Sequence, residues 1–364
     1  MNSILLKNKT VLVTGNTGFK GSWLSTWLTM LGADVIGLSD QVPTRPAHHD
    51  MVKNFLKEDM RIDVRDADAV YNAINSIKPD FIFHLAAQPI VLESYRVPLE
   101  TFITNTMGTA HILDALRRIN HTCTAVMITS DKCYDNVEWT WGYRETDHLG
   151  GKDPYSGSKG SAELVIKSYT ESFFKKTESK VRIGIGRAGN VIGGGDWAPN
   201  RIVPDCINAW SLKDKAKLRN PNSTRPWQHV LEPLSGYVTL ATTLHQNSSL
   251  NGEAFNFGPP AYQNHSVGEL VGELTQHWPG SDWDEMPAPT ASPHEAGLLK
   301  LNCDKALHTL GWRATLNFSE TARWTGNWYR TYYQEGAVAA GKLTSQQIEE
   351  FMQLAHSRHS FKIG

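Results

Sequence analysis

Tyr155-Ser156-Gly157-Ser158-Lys159 sets a phenol and an ammonium four residues apart, a spacing that puts both on one face of a helix. A phenol titrates near about 10 and is no base at neutral pH. A neighbouring ammonium and an oxidised nicotinamide stabilise its anion and pull that value down. The same spacing also describes an ordinary solvated helix face, so the pair gains meaning only with Ser130, at the end of an upstream apolar strand. Ser130, Tyr155 and Lys159 together can orient a hydroxyl or carbonyl oxygen and move its proton. After Ser130 the chain continues Asp131-Lys132-Cys133-Tyr134-Asp135-Asn136. Most Asp-Lys dipeptides are surface turns with a local ion pair. Here the strand Met127-Ile128-Thr129 points both residues toward the same edge, where they add an acid/base pair that a plain reductase or epimerase does not need.

A site of this kind needs a cofactor, and Thr14-Gly15-Asn16-Thr17-Gly18-Phe19-Lys20-Gly21 offers a place for one. It follows the β-branched run Thr10-Val11-Leu12-Val13 and opens a helical pattern from Ser22 to Leu31. A strand-to-helix turn without side chains lets the backbone approach a pyrophosphate, and the helix N-terminus presents free N–H groups. A glycine trio on its own serves packing as readily, but the strand before and the helix after meet the required context. A carboxylate for the ribose is expected about 20 residues on, at the end of the second strand. Ser39 and Asp40 stand there, which favours NAD over NADP.

The elements that must carry these residues alternate. Strand patterns at Val35–Leu38, Phe81–Leu85, Ala125–Thr129 and Arg182–Ile185 are separated by helical patterns at Ala69–Ile77, Thr109–Ile119 and Ser158–Phe174. This predicts an α/β fold, a Rossmann-type doubly wound parallel sheet covered on both faces. After Gly193 the rhythm gives way to loops rich in Gly, Pro, Asn and Trp. Leu231–Leu244 reads as one more helix and Glu253–Phe257 as a last strand. The expected division is a dinucleotide-binding domain over 1–190 with a returning segment at about 231–259, and a smaller C-terminal α/β substrate lobe from 191–230 and 260–364. The tail from Ser345 to Gly364 reads as amphipathic or frayed, with no functional reading.

Composition limits the function classes. The 364 residues hold 36 Lys+Arg against 37 Asp+Glu, a net charge of -1 that argues against nucleic acid as partner. With 40% hydrophobic and 20% charged residues, the chain has material for a core and no run long enough to span a membrane. The first residues, Met1 to Lys7, lack a secretory signal pattern, so a cytoplasmic location is expected. The 4 cysteines form no CxxC pair, and no metal is expected. The 12 Trp suit either ring-binding clefts or a large core.

The three-and-three glycine spacing of Gly15, Gly18 and Gly21, with Ser130, Tyr155 and Lys159, resembles the extended short-chain dehydrogenase/reductases. Further runs narrow the likeness. His84–Pro89, Ser130–Asn136, Trp141–Glu145, Asp153–Ser156, Gly189–Trp197 and Thr224–Val230 are similar to the sugar-nucleotide 4,6-dehydratase branch, and within it to dehydratases acting on CDP-glucose. The resemblance implies NAD as cofactor, with Gly15, Thr17, Gly18, Phe19, Gly21, Ser39, Asp40, Asp63, Val64, Leu85, Ala86, Ala87, Gln88, Asn105, Tyr155 and Lys159 around it. Asp63-Val64 would contact the adenine, and Asn105 would prop the active-site backbone. Asn190, Arg201 and Arg225 would bind the sugar nucleotide, the Arg225 fork suiting a diphosphate.

The implied reaction is an internal redox loop. Tyr155 takes the C4 hydroxyl proton as hydride leaves for NAD+, a base takes the C5 proton, Asp131 protonates the departing C6 hydroxyl, and hydride returns to C6. Lys132 stands where thymidine-diphosphate relatives carry a carboxylate. It acts either as the C5 base or as a protonated group stabilising the enolate. The product, a 4-keto-6-deoxy sugar, would feed deoxy- and dideoxyhexoses for surface polysaccharide such as the O-antigen of lipopolysaccharide. A homodimer or tetramer is implied, pairing Thr109–Ile119 and Ser158–Phe174 in a four-helix interface. Competing readings are a UDP- or dTDP-linked 4,6-dehydratase and a catalytically silent NAD-binding regulator. The latter normally lacks the Tyr or the Lys, and both are present here.

Overall fold

The computed structural model describes residues 3–286 and 298–359. Thr10–Thr14 (β1), Asp34–Ser39 (β2), Glu58–Arg61 (β3), Phe81–His84 (β4), Cys123–Ile128 (β5), Val181–Ala188 (β6) and Ala254–Phe257 (β7) form the central sheet. Among the described residues it has seven strands in the order β3-β2-β1-β4-β5-β6-β7. Every neighbouring pair is parallel. This is the expected doubly wound fold. The order reverses between β1 and β4, the switch point at which such sheets open a crevice at their carboxyl ends.

The strands read as unbroken apolar runs because both faces are covered. Val11 and Val13 of β1 pack with Phe81, Phe83 and Val126 on one face, while Leu12 joins Ile36, Ile82 and Met127 on the other. The first face is covered by Phe19–Met30 (α1), Leu231–Gln246 (α5), Phe318–Glu335 (α6) and Ala337–His359 (α7). The second is covered by Ala67–Ile77 (α2), Gly108–Arg118 (α3) and Pro154–Tyr169 (α4), the last running on through a π turn at Thr170–Phe174. Most of the tryptophans are core: Trp23, Trp27 and Trp328 are fully buried.

The structure differs from expectation at both ends of the hydrophobic scale. β3 is the polar edge strand Glu-Asp-Met-Arg, which carries no apolar signal. The tail is ordered helix as far as His359. α7 buries Ile348 and Phe351, the latter edge-on to Trp27 with centroids 5.6 Å apart, and Thr344 Oγ1 bonds His48 Nε2 at 3.0 Å. Residues 360–364 lie outside the described residues. Short pairs such as Val191–Ile192 with Gln228–His229, and Thr224–Arg225 with His265–Ser266, stand over the carboxyl edge of the sheet. No helix among the described residues is long and apolar enough to cross a membrane.

Candidate active site

A cleft of about 1130 Å³ runs along the carboxyl ends of the strands, between the sheet and these short pairs. Gly15 enters it at φ +73, and a Cβ there would lie 2.7 Å from Ala86 N. A Cβ on Gly21 would lie 2.0 Å from Gly15 O, so helix and turn touch only because that side chain is absent. Gly18 caps α1, whose first N–H groups open toward the cleft. This backbone cradle fits a pyrophosphate.

Around the cradle, Ser39 is consumed by the turn itself. Its hydroxyl donates to Asn16 Oδ1 at 2.7 Å and accepts from Thr17 N at 3.3 Å. Asp40 is the exposed carboxylate at that strand end, and of the expected pair it is the one open to a ribose. Thr17, Phe19, Asp63, Val64 and Leu85–Gln88 line the same cleft. The Arg65 guanidinium beside Asp63 holds that carboxyl below its ordinary range. Asn105 is buried; it accepts from Gln88 N at 2.8 Å and donates to Gln88 O at 3.1 Å, propping the loop from beneath.

The reactive groups converge from two elements. β5 ends at Ile128 and leads through Thr129 and Ser130 into a tight turn at Asp131–Cys133. α4 starts on Asp153, whose carboxylate caps Ser156 N at 3.0 Å, with Pro154 at its first position. That start brings Tyr155 and Lys159, both buried, to the cleft beside Ser130, Asp131 and Lys132. Ser130 Oγ donates to Asp131 Oδ1 at 2.9 Å and accepts from Lys132 N at 3.2 Å.

Burial pushes Tyr155 up to about 12, helped by Asp131 and Asp153, while Ser130 and Arg201 pull the other way. The chain's own groups therefore do not lower the phenol, contrary to the simple expectation for a Tyr-Lys pair, because desolvation of the phenolate outweighs them. Burial lowers Lys159 to about 8, against Cys133 and Glu163. Burial raises the Asp131 carboxyl, opposed by Lys132, Ser130 and Lys20. Its Oδ2 is buried with no hydrogen-bond partner among the described residues. A Cβ on Gly189 would sit 2.6 Å from that oxygen, so Gly189 is what makes room for it. A carboxyl whose ionised form is disfavoured by burial holds its proton more firmly than a free one, which suits a group that must give a proton away.

On the far wall, Asn190, Arg201 and Arg225 line the cleft. Arg201 Nη1 bonds Asp196 Oδ2 at 2.7 Å, and Asp196 N donates to Tyr329 OH at 3.0 Å. Arg201 is thus a held group at a helix start and not a loose surface charge. Arg225, on its short strand, donates to Thr224 O at 2.8 Å.

Sequence reasoning passed over Lys20, Gly189 and Asp196. Lys20 stands in the glycine turn and lines the cleft. Desolvation lowers it to about 8, with Arg201 and Lys159 pushing the same way and Asp131 and Asp196 opposing. A cation in the first turn of a helix opposes the dipole, and that misfit was the available signal.

Residues 12–325 match the family model for GDP-mannose 4,6 dehydratase. The chain is 45% identical over 352 residues to CDP-glucose 4,6-dehydratase of Salmonella typhimurium, covering 95% of this chain and 97% of the relative. The chain belongs to the nucleotide-sugar 4,6-dehydratase family. Other relatives in this dehydratase and epimerase group include dTDP-glucose 4,6-dehydratase of Streptomyces antibioticus, 28% identical over 88% of this chain and 92% of that one. Among solved structures, UDP-glucose 4-epimerase of Thermus thermophilus in complex with NAD has a TM-score of 0.75 at 24% identity, covering 88% of this chain and 99% of that chain. UDP-glucuronic acid 4-epimerase of Bacillus cereus, in complex with UDP-glucuronic acid and NAD, has the same TM-score of 0.75 at 20% identity, covering 89% and 100%. These two likenesses concern the fold.

Proposed function

We propose that the chain is an NAD-dependent CDP-glucose 4,6-dehydratase, a hydro-lyase converting CDP-D-glucose to CDP-4-keto-6-deoxy-D-glucose. The observation that carries this reading is the meeting, in one cleft, of a glycine cradle, the Ser130/Tyr155/Lys159 set and an Asp131-Lys132 pair whose carboxyl is raised by burial. The 45% identity to a relative of that name supports the nucleotide.

Gly15, Gly18 and Gly21 would hold the NAD pyrophosphate, Asp40 the ribose, and Asp63 and Val64 the adenine. Bound there, the nicotinamide supplies a hydride acceptor for C4 and a donor for C6. Tyr155 takes the C4 hydroxyl proton. Its high value in the ligand-free chain falls once a cation lies beside it, with Lys159 already in place. The ketone acidifies C5–H, Lys132 removes that proton as Asp131 donates to the departing C6 hydroxyl, and Lys132 gives a proton back to C5 when C6 is reduced. Arg201 and Arg225 neutralise the diphosphate.

The enzyme works in the cytoplasm as a homodimer, feeding deoxyhexose synthesis for surface polysaccharide. Support for the dimer is an exposed apolar set on the segments around α3 and α4: Leu99, Ile103, Met107, Leu164 and Phe173. Incubation with CDP-, UDP- and dTDP-glucose, each with NAD+, tests the reading. Ketone product from CDP-glucose in preference to the others is expected. Product from none of them favours a silent regulator.

A further inference from the structure

Glu163 follows Lys159 by one helical turn on α4 and shares its face. It is 3% exposed, and its partner Arg187 on β6 is 4% exposed. The Glu163 carboxylate accepts Arg187 Nε and Nη2, both at 2.8 Å, and the Thr129 hydroxyl at 2.5 Å. Arg187 Nη1 in turn donates to Tyr134 OH at 2.8 Å and Glu145 O at 3.1 Å, with the guanidinium 4.9 Å from the Tyr134 ring centroid. Thr129 and Tyr134 bracket the segment that carries Ser130, Asp131 and Lys132. One ion pair thus ties both ends of that segment to the helix that carries Tyr155 and Lys159.

Burying an ion pair costs several kcal/mol per ion, and apolar residues of the same volume commonly stabilise a fold as well or better. What this pair supplies that an apolar pair cannot is direction and charge. The titratable groups facing Lys159 are Cys133, Glu163, His84 and Lys20. Burial pushes the Cys133 thiol far up and lowers His84 to about 3, so both are uncharged at working pH. Lys20 is a like charge. Glu163 is therefore the anion that keeps the Lys159 ammonium protonated in its dry site.

We propose that Glu163, held by Arg187, is a positioning residue for the dehydration: it keeps Lys159 charged beside Tyr155 and, through Thr129, fixes the segment bearing Asp131 and Lys132. The proposal deepens the dehydratase reading and rests on it.

Glu163→Gln keeps the volume and an oxygen toward Thr129 while removing the charge. Acetic anhydride labelling of Lys159 across pH, mapped by mass spectrometry, reads its free amine without requiring turnover. The labelling midpoint in Glu163→Gln is expected to fall by about one pH unit. At neutral pH kcat for CDP-glucose falls about twofold with KM retained, and the alkaline limb of the kcat profile moves down by about one pH unit. Thr129→Val removes only the tether, so it lowers kcat without moving either the midpoint or the limb. If Glu163→Gln does not fold, the double variant Glu163→Gln/Arg187→Met removes both charges and carries the same labelling test. A wild-type midpoint and a wild-type alkaline limb in the folded variant overturn the proposal. Wild-type protein that labels as expected yet leaves CDP-glucose untouched strikes the dehydratase reading instead.

Discussion

In the proposed mechanism Lys132 is the residue on which elimination turns, because an ammonium holds no lone pair for the C5 proton. It is half-buried at the cleft, with its backbone N–H on Ser130 Oγ at 3.2 Å. If it is the base, Lys132→Met still oxidises C4 but stops exchanging the C5 hydrogen with solvent deuterium, and Lys132→Glu keeps part of that exchange. Wild-type exchange in the Met variant leaves Lys132 an electrostatic role only. Lys20 allows a stability test with a definite sign. Its folded value of about 8 lies below the free-lysine value of about 10.4, so the folded state binds that proton more weakly. The penalty is full below pH 8, fades as pH rises through that interval and is gone above it. Lys20→Met is expected to stabilise the fold by about 1–2 kcal/mol at pH 7 in urea titrations, with the gain vanishing at alkaline pH. A gain independent of pH would rule out desolvation as its cause. That Tyr155 and Lys159 share a helix face, and that Ser130 and Asp131 stand at the sheet's carboxyl edge beside them, was legible from the helical spacing and from the apolar strand before Ser130. Lys20, Gly189 and Asp196 were not, since what defines them is a neighbour distant in sequence: Arg201 and Asp131 for Lys20, Asp131 for Gly189 and Tyr329 for Asp196.

At the scale of elements, the buried strands declared themselves as β-branched runs, and Thr10–Thr14 and Cys123–Ile128 sit within a residue or two of where periodicity put them. Glu58–Arg61 is a polar edge strand and Ala337–His359 a helix whose buried face includes Ala340, Gly341, Thr344 and Gln347. The strand carries no apolar signal and went unread, while the tail read only as amphipathic or frayed because Ile348 and Phe351 share its buried face with small and polar residues. The helix nonetheless closes the core over α1. Phe351→Ala is expected to destabilise the protein by about 3–5 kcal/mol in urea unfolding, through the cavity left against Trp27. A change below about 1 kcal/mol would mean that α7 is peripheral to the fold.

Over the whole molecule, the proposed function depends on two walls meeting across one cleft. The sheet edge contributes the cradle, Tyr155 and the Asp131-Lys132 turn, and the short strands and loops after residue 190 contribute Arg201 and Arg225. Sequence spacing could place each wall, but only the fold shows that Arg201 reaches the electrostatic neighbourhood of Tyr155 and Lys20. The proposed chemistry is oxidation and reduction closed within one active site, and an isotope follows that directly. CDP-glucose carrying deuterium at C4 is incubated with the protein and NAD+, and the product is analysed by NMR and mass spectrometry. The expected product is CDP-4-keto-6-deoxyglucose with the deuterium at C6 of the same molecule and no net NADH. Deuterium accumulating in free NADH, or a product that keeps its C6 hydroxyl, would contradict a closed redox loop.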